Sequence, residues 1–288
     1  MEALKRIARK IVGVFPWQVH YFITYSRVKR FPNLFRPQNY SVYVFRDNIL
    51  GRHNKHAYLA DKYEVRKFVE DRGYVYTLTK LYGVWDDAND IDFSNLPNEF
   101  ALKCNHSCGM NIIVYDKSTL DLDKTRKQLN EWLKMKHPVF FEQHYEYIKP
   151  RIICEELIHN DVSGFFPMDY KIHCANGVPV YIQCCFDRTP TDPGRRVIYS
   201  TDWKDLHYVL QDSHYSDEQV ARPRHLEEML EMASKLSKGL EYVRIDLYDT
   251  DKGVLFGEVT LSPMGGWFDY FTPEALNVMG DAIRKYNK

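Results

Sequence analysis

The chain has 288 residues, 44% hydrophobic and 15% aromatic, ample for a buried core spread over two or three compact lobes. Lys and Arg balance Asp and Glu at 39 each, but unevenly: residues 1–60 hold eleven Lys or Arg against Glu2 and Asp47, a local +9 that leaves −9 for the rest. No apolar run approaches the ~20 residues that would span a bilayer, and the basic start (Lys5, Arg6, Arg9, Lys10) leads into an apolar stretch broken at Pro16 and Gln18 without a small-residue cleavage site, which argues against a signal peptide. Six cysteines without any Cys-x-x-Cys pair, mostly inside apolar runs, read as reduced core thiols of a cytoplasmic protein and not as a zinc site or disulfide frame.

Residues 2–27 suit a helix with Leu4, Ile7, Ala8, Ile11 and Phe15 on one face and the four early basic residues on another. Such a helix can rest on an anionic membrane surface or pack on the body of the protein with a solvated basic face. Asp61 reads as an N-cap, which puts Lys62 at a helix start where the macrodipole disfavours a cation; an anionic ligand nearby would resolve the conflict. Tyr74 to Leu81 reads as a strand and Trp85 to Pro97 as an acidic loop. Glu99 to Val114 is two apolar runs around a small polar turn with a glycine, a hairpin that would set Lys103 at the end of its first strand as in a phosphate clamp. A helix follows from Leu122 to Lys136.

From Arg151 the pattern becomes β. Arg151 to Ile158 is a strand containing two adjacent carboxylates, and Met168 to Cys174 and Val178 to Phe186 form a hairpin at Asn176-Gly177. Arg224 to Lys238 reads as a helix. Tyr242 to Tyr248 and Val254 to Leu261 form a last hairpin closed by Asp249 to Gly253, and a final helix spans Pro273 to Tyr286. In that hairpin Arg244, Asp246, Glu258 and Thr260 interrupt otherwise apolar strands, each pair two residues apart and so on one face. Buried carboxylates need partners. Either an Arg–Asp salt bridge or a divalent cation bound by oxygen ligands supplies one.

Taken in order, Lys62, Lys103, the strand ending Glu155-Glu156-Leu157-Ile158, and Arg244-Ile-Asp246 followed by Glu258-Val-Thr260-Leu-Ser-Pro263 resemble the ATP-grasp layout, the last part resembling D-alanine–D-alanine ligases. The wording of Leu59 to Arg66, Phe100 to His106, Lys149 to Ile153, Asp169 to His173, Asp187-Arg188 and Val243 to Tyr248 is similar to the TupA-like (teichuronopeptide biosynthesis) ATP-grasp proteins of surface-polysaccharide gene clusters. The resemblance runs from about residue 59 to 266. It implies an α+β ATP-grasp fold, two α+β lobes clamping the nucleotide: a basic helical N-terminal segment at 1–58, a lobe at 59–150 with the phosphate hairpin, and a lobe at 151–288 with the adenine hinge and metal strands.

The resemblance further implies ATP and Mg²⁺ as cofactors. Lys62, Lys103 and the turn of Asn105, His106, Ser107 and Gly109 would hold phosphates; Glu155, Glu156, Leu157 and Ile158 the adenine; Asp161 the ribose; Lys171 would face the nucleotide. Asp246, Glu258 and Thr260 would ligate Mg²⁺, Thr260 standing where many members have Asn. Arg244 and Lys103 would be catalytic, and Arg188 would meet the substrate. The expected reaction is ATP-dependent carboxylate–amine ligation, joining an amino acid or other amine to a uronic acid of a capsular or other bacterial surface polysaccharide through an acylphosphate. The partners would be a glycan or carrier-linked sugar carboxylate and an amine, without nucleic acid, in the cytoplasm and in peripheral contact with the inner face of the membrane through the basic N-terminus.

Rival readings are an ATP-grasp kinase acting on a sugar, a non-catalytic binder that keeps the fold, and a glycosyltransferase using Asp90-Ile-Asp92 or Asp249-Thr-Asp251 as its Asp-x-Asp signature. His106 could donate to a phosphoryl group or merely fill the turn; His173 and His225 read as structural or solvated.

Overall fold

The computed structural model describes residues 33–135, 142–159, 166–189, 191–210 and 215–288. The expected helix over 2–27 and Asp161 lie outside them. Among the described residues run six α-helices: α1 (Tyr40–Ile49), the single turn α2 (Ala57–Ala60), α3 (Val65–Asp71), α4 (Leu122–Leu133), α5 (Leu226–Ser237) and α6 (Pro273–Tyr286). The strands form two antiparallel sheets. The first orders β1 (Leu81–Trp85), β2 (Phe100–Cys104), β3 (Asn111–Val114) and β4 (Ile152–Glu155) as β1-β4-β2-β3. The second orders β5 (Asp169–Ala175), β6 (Val178–Phe186), β7 (Arg195–Tyr199), β8 (Val243–Thr250) and β9 (Gly253–Thr260) as β7-β6-β5-β8-β9.

Period-2 alternation gives each sheet an apolar back and a polar front. In β2, Phe100, Leu102 and Cys104 pack with Leu129 of α4, while Ala101 and Lys103 line a cleft on the other side. Asp121 caps α4 by accepting from the Lys124 amide, and Asn130 of the same helix accepts from the Ala88 amide, fastening the acidic loop to the sheet. In the second sheet Ile172, Ile182, Val243, Ile245 and Leu247 pack on Met229, Met232, Ala233 and Leu236 of α5. Each Ile, Val, Leu or Met among them contributes roughly 1.5–3 kcal/mol by leaving water. The front of this sheet carries Asp169, Lys171, Asp246 and Glu258, which line the same cleft.

The far end of that front face is roofed by aromatic residues. Tyr40 of α1 stacks on Phe268 with centroids 4.7 Å apart, and His173, Tyr181 and Phe271 complete the layer. Asn39 caps α1 through the Val42 amide, and Thr272 caps α6 through the Ala275 amide.

Several expectations change. Tyr74 to Leu81 is not a strand: Val75–Thr77 is a 3₁₀ turn, and the strand starts at Leu81. Tyr74 is buried in the core and Leu78 packs against it while Val75 and Tyr76 are exposed, a burial spacing of four that fits a helical turn and not a strand's alternation. β4, expected at the head of the second lobe, is hydrogen-bonded between β1 and β2 of the first sheet. β7 and α1 are additional to the elements read from the sequence, and Cys108 is exposed while the other five thiols are buried.

Candidate functional site

A cleft of about 700 Å³ opens between the fronts of the two sheets, within the ~300–1,000 Å³ typical of ligand pockets. Five Lys or Arg (Lys62, Arg66, Lys103, Lys171, Arg188) and five Asp or Glu (Glu155, Glu156, Asp169, Asp246, Glu258) line it.

On the first sheet the charges converge on Glu155, at the end of β4. Its Oε1 accepts from Arg66 Nη1 at 2.7 Å and Thr79 Oγ1 at 3.2 Å, and its Oε2 from Lys103 Nζ at 2.9 Å. Burial alone would raise this carboxyl, but Lys103, then Arg66 and Thr79, hold it below the usual range. Register explains the meeting: Ala101 and Glu155 are cross-strand partners, so Lys103, two residues on, shares Glu155's face. Lys62 approaches from the chain before α3, its amide donating to the Asn105 carbonyl and its Nζ to the Ser107 carbonyl at 2.5 Å. Burial lowers its pKa.

On the second sheet Asp246 receives Arg244 Nε on Oδ1 at 2.7 Å, and Arg244 Nη2 and Lys171 Nζ on Oδ2 at 2.6 and 2.5 Å. Burial would raise Asp246, but Arg244 and Lys171 hold it far below the carboxylate range. Asp246 and Glu258 are direct cross-strand partners. Glu258 Oε1 accepts from Arg244 Nη2 at 3.0 Å and Thr260 Oγ1 at 3.1 Å. A register slip past Asp246 makes Gly257 the extra residue of a bulge; a Cβ there would lie 2.9 Å from the Asp246 carbonyl. The bulge turns Glu258 toward the cleft. Asp169 Oδ2 accepts from Lys171 Nζ at 2.5 Å and pairs with Arg188 Nη1 at 3.3 Å, while Arg188 Nη2 donates to the Pro167 carbonyl.

Of the residues expected from the sequence, Lys62, Lys103, Gly109, Glu155, Glu156, Leu157, Ile158, Lys171, Arg188, Asp246 and Glu258 line the cleft. Arg244 and Thr260 touch it through their bonds to Asp246 and Glu258. The phosphate turn divides. Asn105 is fully buried, donating to Asp61 and the Lys149 carbonyl and accepting from the Arg151 amide, so it ties the turn to its surroundings. His106 and Ser107 are buried too, the His106 ring bonded to the Met135 carbonyl at 3.1 Å. His173 is buried between Tyr40 and Gln183, and His225 bonds Asp249.

Both Asp-x-Asp triplets lie off the cleft. Asp92 caps a 3₁₀ turn through Ser94, and Asp249 is taken by Arg224 and His225. Arg66 and Asp169 join the lining beyond the residues expected from the sequence. For Asp169 a signal existed: it stands two residues before Lys171 on one strand and therefore shares its face. Arg66 reaches Glu155 over 89 positions of sequence, a pairing no local pattern reveals.

Two antiparallel sheets that oppose lysines on one front to a cross-strand carboxylate pair on the other, across a nucleotide-sized cleft, form an ATP-grasp fold. The chain belongs to the TupA-like ATPgrasp family, whose sequence model matches residues 42–284. Among solved structures it is similar to a D-alanine–D-alanine ligase from Bacillus anthracis, at 16% identity and a TM-score of 0.50, covering 83% of this chain and 73% of that one. It is also similar to that organism's ligase complexed with ATP (16%, TM-score 0.48, 79% and 65% covered) and to the ATP-grasp ligase PsnB complexed with a minimal precursor (12%, TM-score 0.46, 86% and 68%). The chain thus spans 65% of the length of the ATP-complexed ligase, and likeness at these identities speaks to the fold. No curated protein matches the chain. Among the described residues no helix is long and apolar enough to cross a membrane.

Proposed function

We propose that the chain is an ATP-dependent carboxylate–amine ligase that joins an amine, such as an amino acid, to a uronic acid of a bacterial surface polysaccharide. One observation carries the ligase reading: Lys171 and Arg244 stand on one sheet front beside Asp246 and Glu258, joined by Arg188 from the loop after β6, opposite Lys62 and Lys103 across the cleft. The glycan class follows from the sequence resemblance to TupA-like proteins, and the basic composition of the N-terminal stretch suits an anionic glycan or a lipid-linked precursor at the inner face of the membrane. The proposed lobes divide after the strand Ile152–Glu155, which belongs to the first sheet.

In the proposed reaction a substrate carboxylate oxygen attacks the γ-phosphorus of ATP, the bond to the β-phosphate oxygen breaks, and ADP leaves. The amine nitrogen then attacks the acyl carbon of the resulting acylphosphate, inorganic phosphate leaves, and the amine proton passes to water. Lys103 and Lys62 act as ammonium point charges against the phosphates. Asn105, bonded on three sides, holds the turn in which Gly109 approaches them. Arg188 orients the carboxylate from the loop after β6, and Arg244 faces the charge that builds on the transferred group. Glu156 to Ile158 meet the base at the hinge after β4. Catalysis is positioning and charge neutralisation.

The donor set suits Mg²⁺. Asp246 and Glu258 are hard oxygen ligands on one face with the Thr260 hydroxyl beside them. Among the described residues no three His, Cys, Asp or Glu side chains form a ready cage, and Mg²⁺ needs none, since it uses one or two carboxylates together with water and substrate phosphates. When bound it would neutralise phosphate charge.

Hydroxylamine trapping tests the proposal. With ATP, Mg²⁺ and a panel of uronic acids, a hydroxamate and stoichiometric ADP are expected, and both should vanish in Glu258→Gln. A stable phosphorylated sugar without hydroxamate would make the enzyme a kinase and overturn the ligase reading.

A further inference from the structure

Lys171 and Asp246 are cross-strand partners on β5 and β8, and Asp169, two residues before Lys171, shares their face. The Lys171 ammonium bridges the two acids, 2.5 Å from Oδ2 of each. The same Asp246 oxygen already accepts from Arg244 Nη2 at 2.6 Å. A Mg²⁺ ion must lie about 2.1 Å from a ligand oxygen, here between an ammonium and a guanidinium in a buried, weakly screened place. Asp246 is therefore closed to a divalent cation for as long as Lys171 stays.

Arg244 is not free to leave. It grips Asp246 through two nitrogens and Glu258 through one of them. Lys171 is a point charge on a flexible stem with rotatable donors, so it is the group that can move. Its resting place is fixed independently: Asp169 is 4% exposed and pairs with Arg188, which is itself held by the Pro167 carbonyl. The second Asp169 oxygen, Oδ1, has no hydrogen-bond partner among the described residues, so the grip of this carboxylate is exerted through the oxygen that faces the two cations.

We infer that Lys171 gates the divalent-cation site and that Asp169 is the positioning residue that parks it. A triphosphate entering the cleft draws the ammonium off Asp246 onto a phosphate oxygen, and the freed carboxylate then shares the metal with the phosphates. The cation site is thus completed by the nucleotide. This inference rests on the reading of Asp246 and Glu258 as cation ligands.

The test is Mn²⁺ binding followed by electron paramagnetic resonance, with and without the non-hydrolysable analogue AMPPNP. The nucleotide-free wild type should bind Mn²⁺ weakly. Lys171→Met and Lys171→Gln, which remove the charge, should each tighten nucleotide-free binding at least about tenfold, and Lys171→Arg should not. Adding Asp246→Asn to Lys171→Met should abolish the gain. Asp169→Asn, which leaves the ammonium to Asp246 alone and takes a negative charge from beside the cation site, should weaken nucleotide-free binding further. Circular dichroism shows which variants fold, and the two neutral substitutions back each other up. Unchanged nucleotide-free affinity in a folded Lys171→Met or Lys171→Gln protein overturns the gate, and unchanged affinity in Asp169→Asn overturns the parking role. If Asp246→Asn and Glu258→Gln leave binding with AMPPNP unaltered, the ligand assignment has failed, a result distinct from failure of the gate.

Discussion

His173 and His53 show what single buried groups impose on the whole chain. Burial, with Arg244 close by, pushes His173 down to about 3; burial likewise pushes His53, bonded to the Tyr242 hydroxyl, down to about 4. Above the ordinary histidine value of ~6.5 neither the folded nor the unfolded chain carries these protons. As pH falls below it, the unfolded chain binds protons that the native state refuses, and stability drops by about 1.4 kcal/mol per pH unit per histidine. The expected loss at pH 5 is on the order of 2 kcal/mol for each. Glu155 and Asp246, held below their usual range, add to the loss only below roughly pH 4.5, where their unfolded forms protonate. Urea denaturation at pH 7.5 and at pH 5 checks the sign, and equal midpoints would show that these rings titrate normally.

At the scale of elements, the bulge in β9 ties local backbone to site geometry. Gly257→Ala should destabilise the protein by about 1–3 kcal/mol, because its Cβ would meet the Asp246 carbonyl at 2.9 Å and the Tyr248 ring at 3.0 Å. It should also turn Glu258 away from Asp246 and lower ADP release more than the stability loss explains. A thermal melt paired with an ADP-release assay separates the two effects. That bulge was not legible in advance, since Gly in a strand signals a bulge only once the partner strand's register is known. What was legible followed from period and turn chemistry. The hairpin of β5 and β6 turns at Asn176 and Gly177, whose φ values of 44° and 87° are those an Asn-Gly turn requires, and the helix Pro273–Tyr286 matches to the residue. α1 escaped notice because Tyr40-Ser-Val-Tyr-Val-Phe45 is rich in β-branched and aromatic residues, a strand-like composition that tertiary packing against Phe268 and α6 overrides. β7 escaped because it follows a turn dense in Pro, Thr and Asp and is short. Within the site, chemistry carried by residue type was readable, whereas the pairings of Arg66 with Glu155 and of Asp169 with Arg188 depend on how distant strands meet.

The two sheets make one molecule through the cleft they share, and its charges determine how a nucleotide arrives as well as how it is held. The lining Lys and Arg are matched in number by Asp and Glu, and Lys103, Arg66, Lys171 and Arg188 are each paired with a carboxylate of the lining. Opposite charges a few ångströms apart cancel within a Debye length of about 8 Å at physiological salt, so the cleft projects little field into solvent. A triphosphate approaching it feels almost no long-range pull, and the cations act only at contact, after the internal pairs exchange partners. Encounter should therefore be unsteered. Stopped-flow association of a fluorescent ATP analogue should change by less than about threefold between low and high salt, where a focused field would change it tenfold or more. A steep salt dependence would mean that the internal pairs are open in solution. In kinetic terms, selectivity for the nucleotide then lies in its residence time and not in its rate of capture, so a competing polyanion would reach the cleft as readily as ATP and leave it sooner.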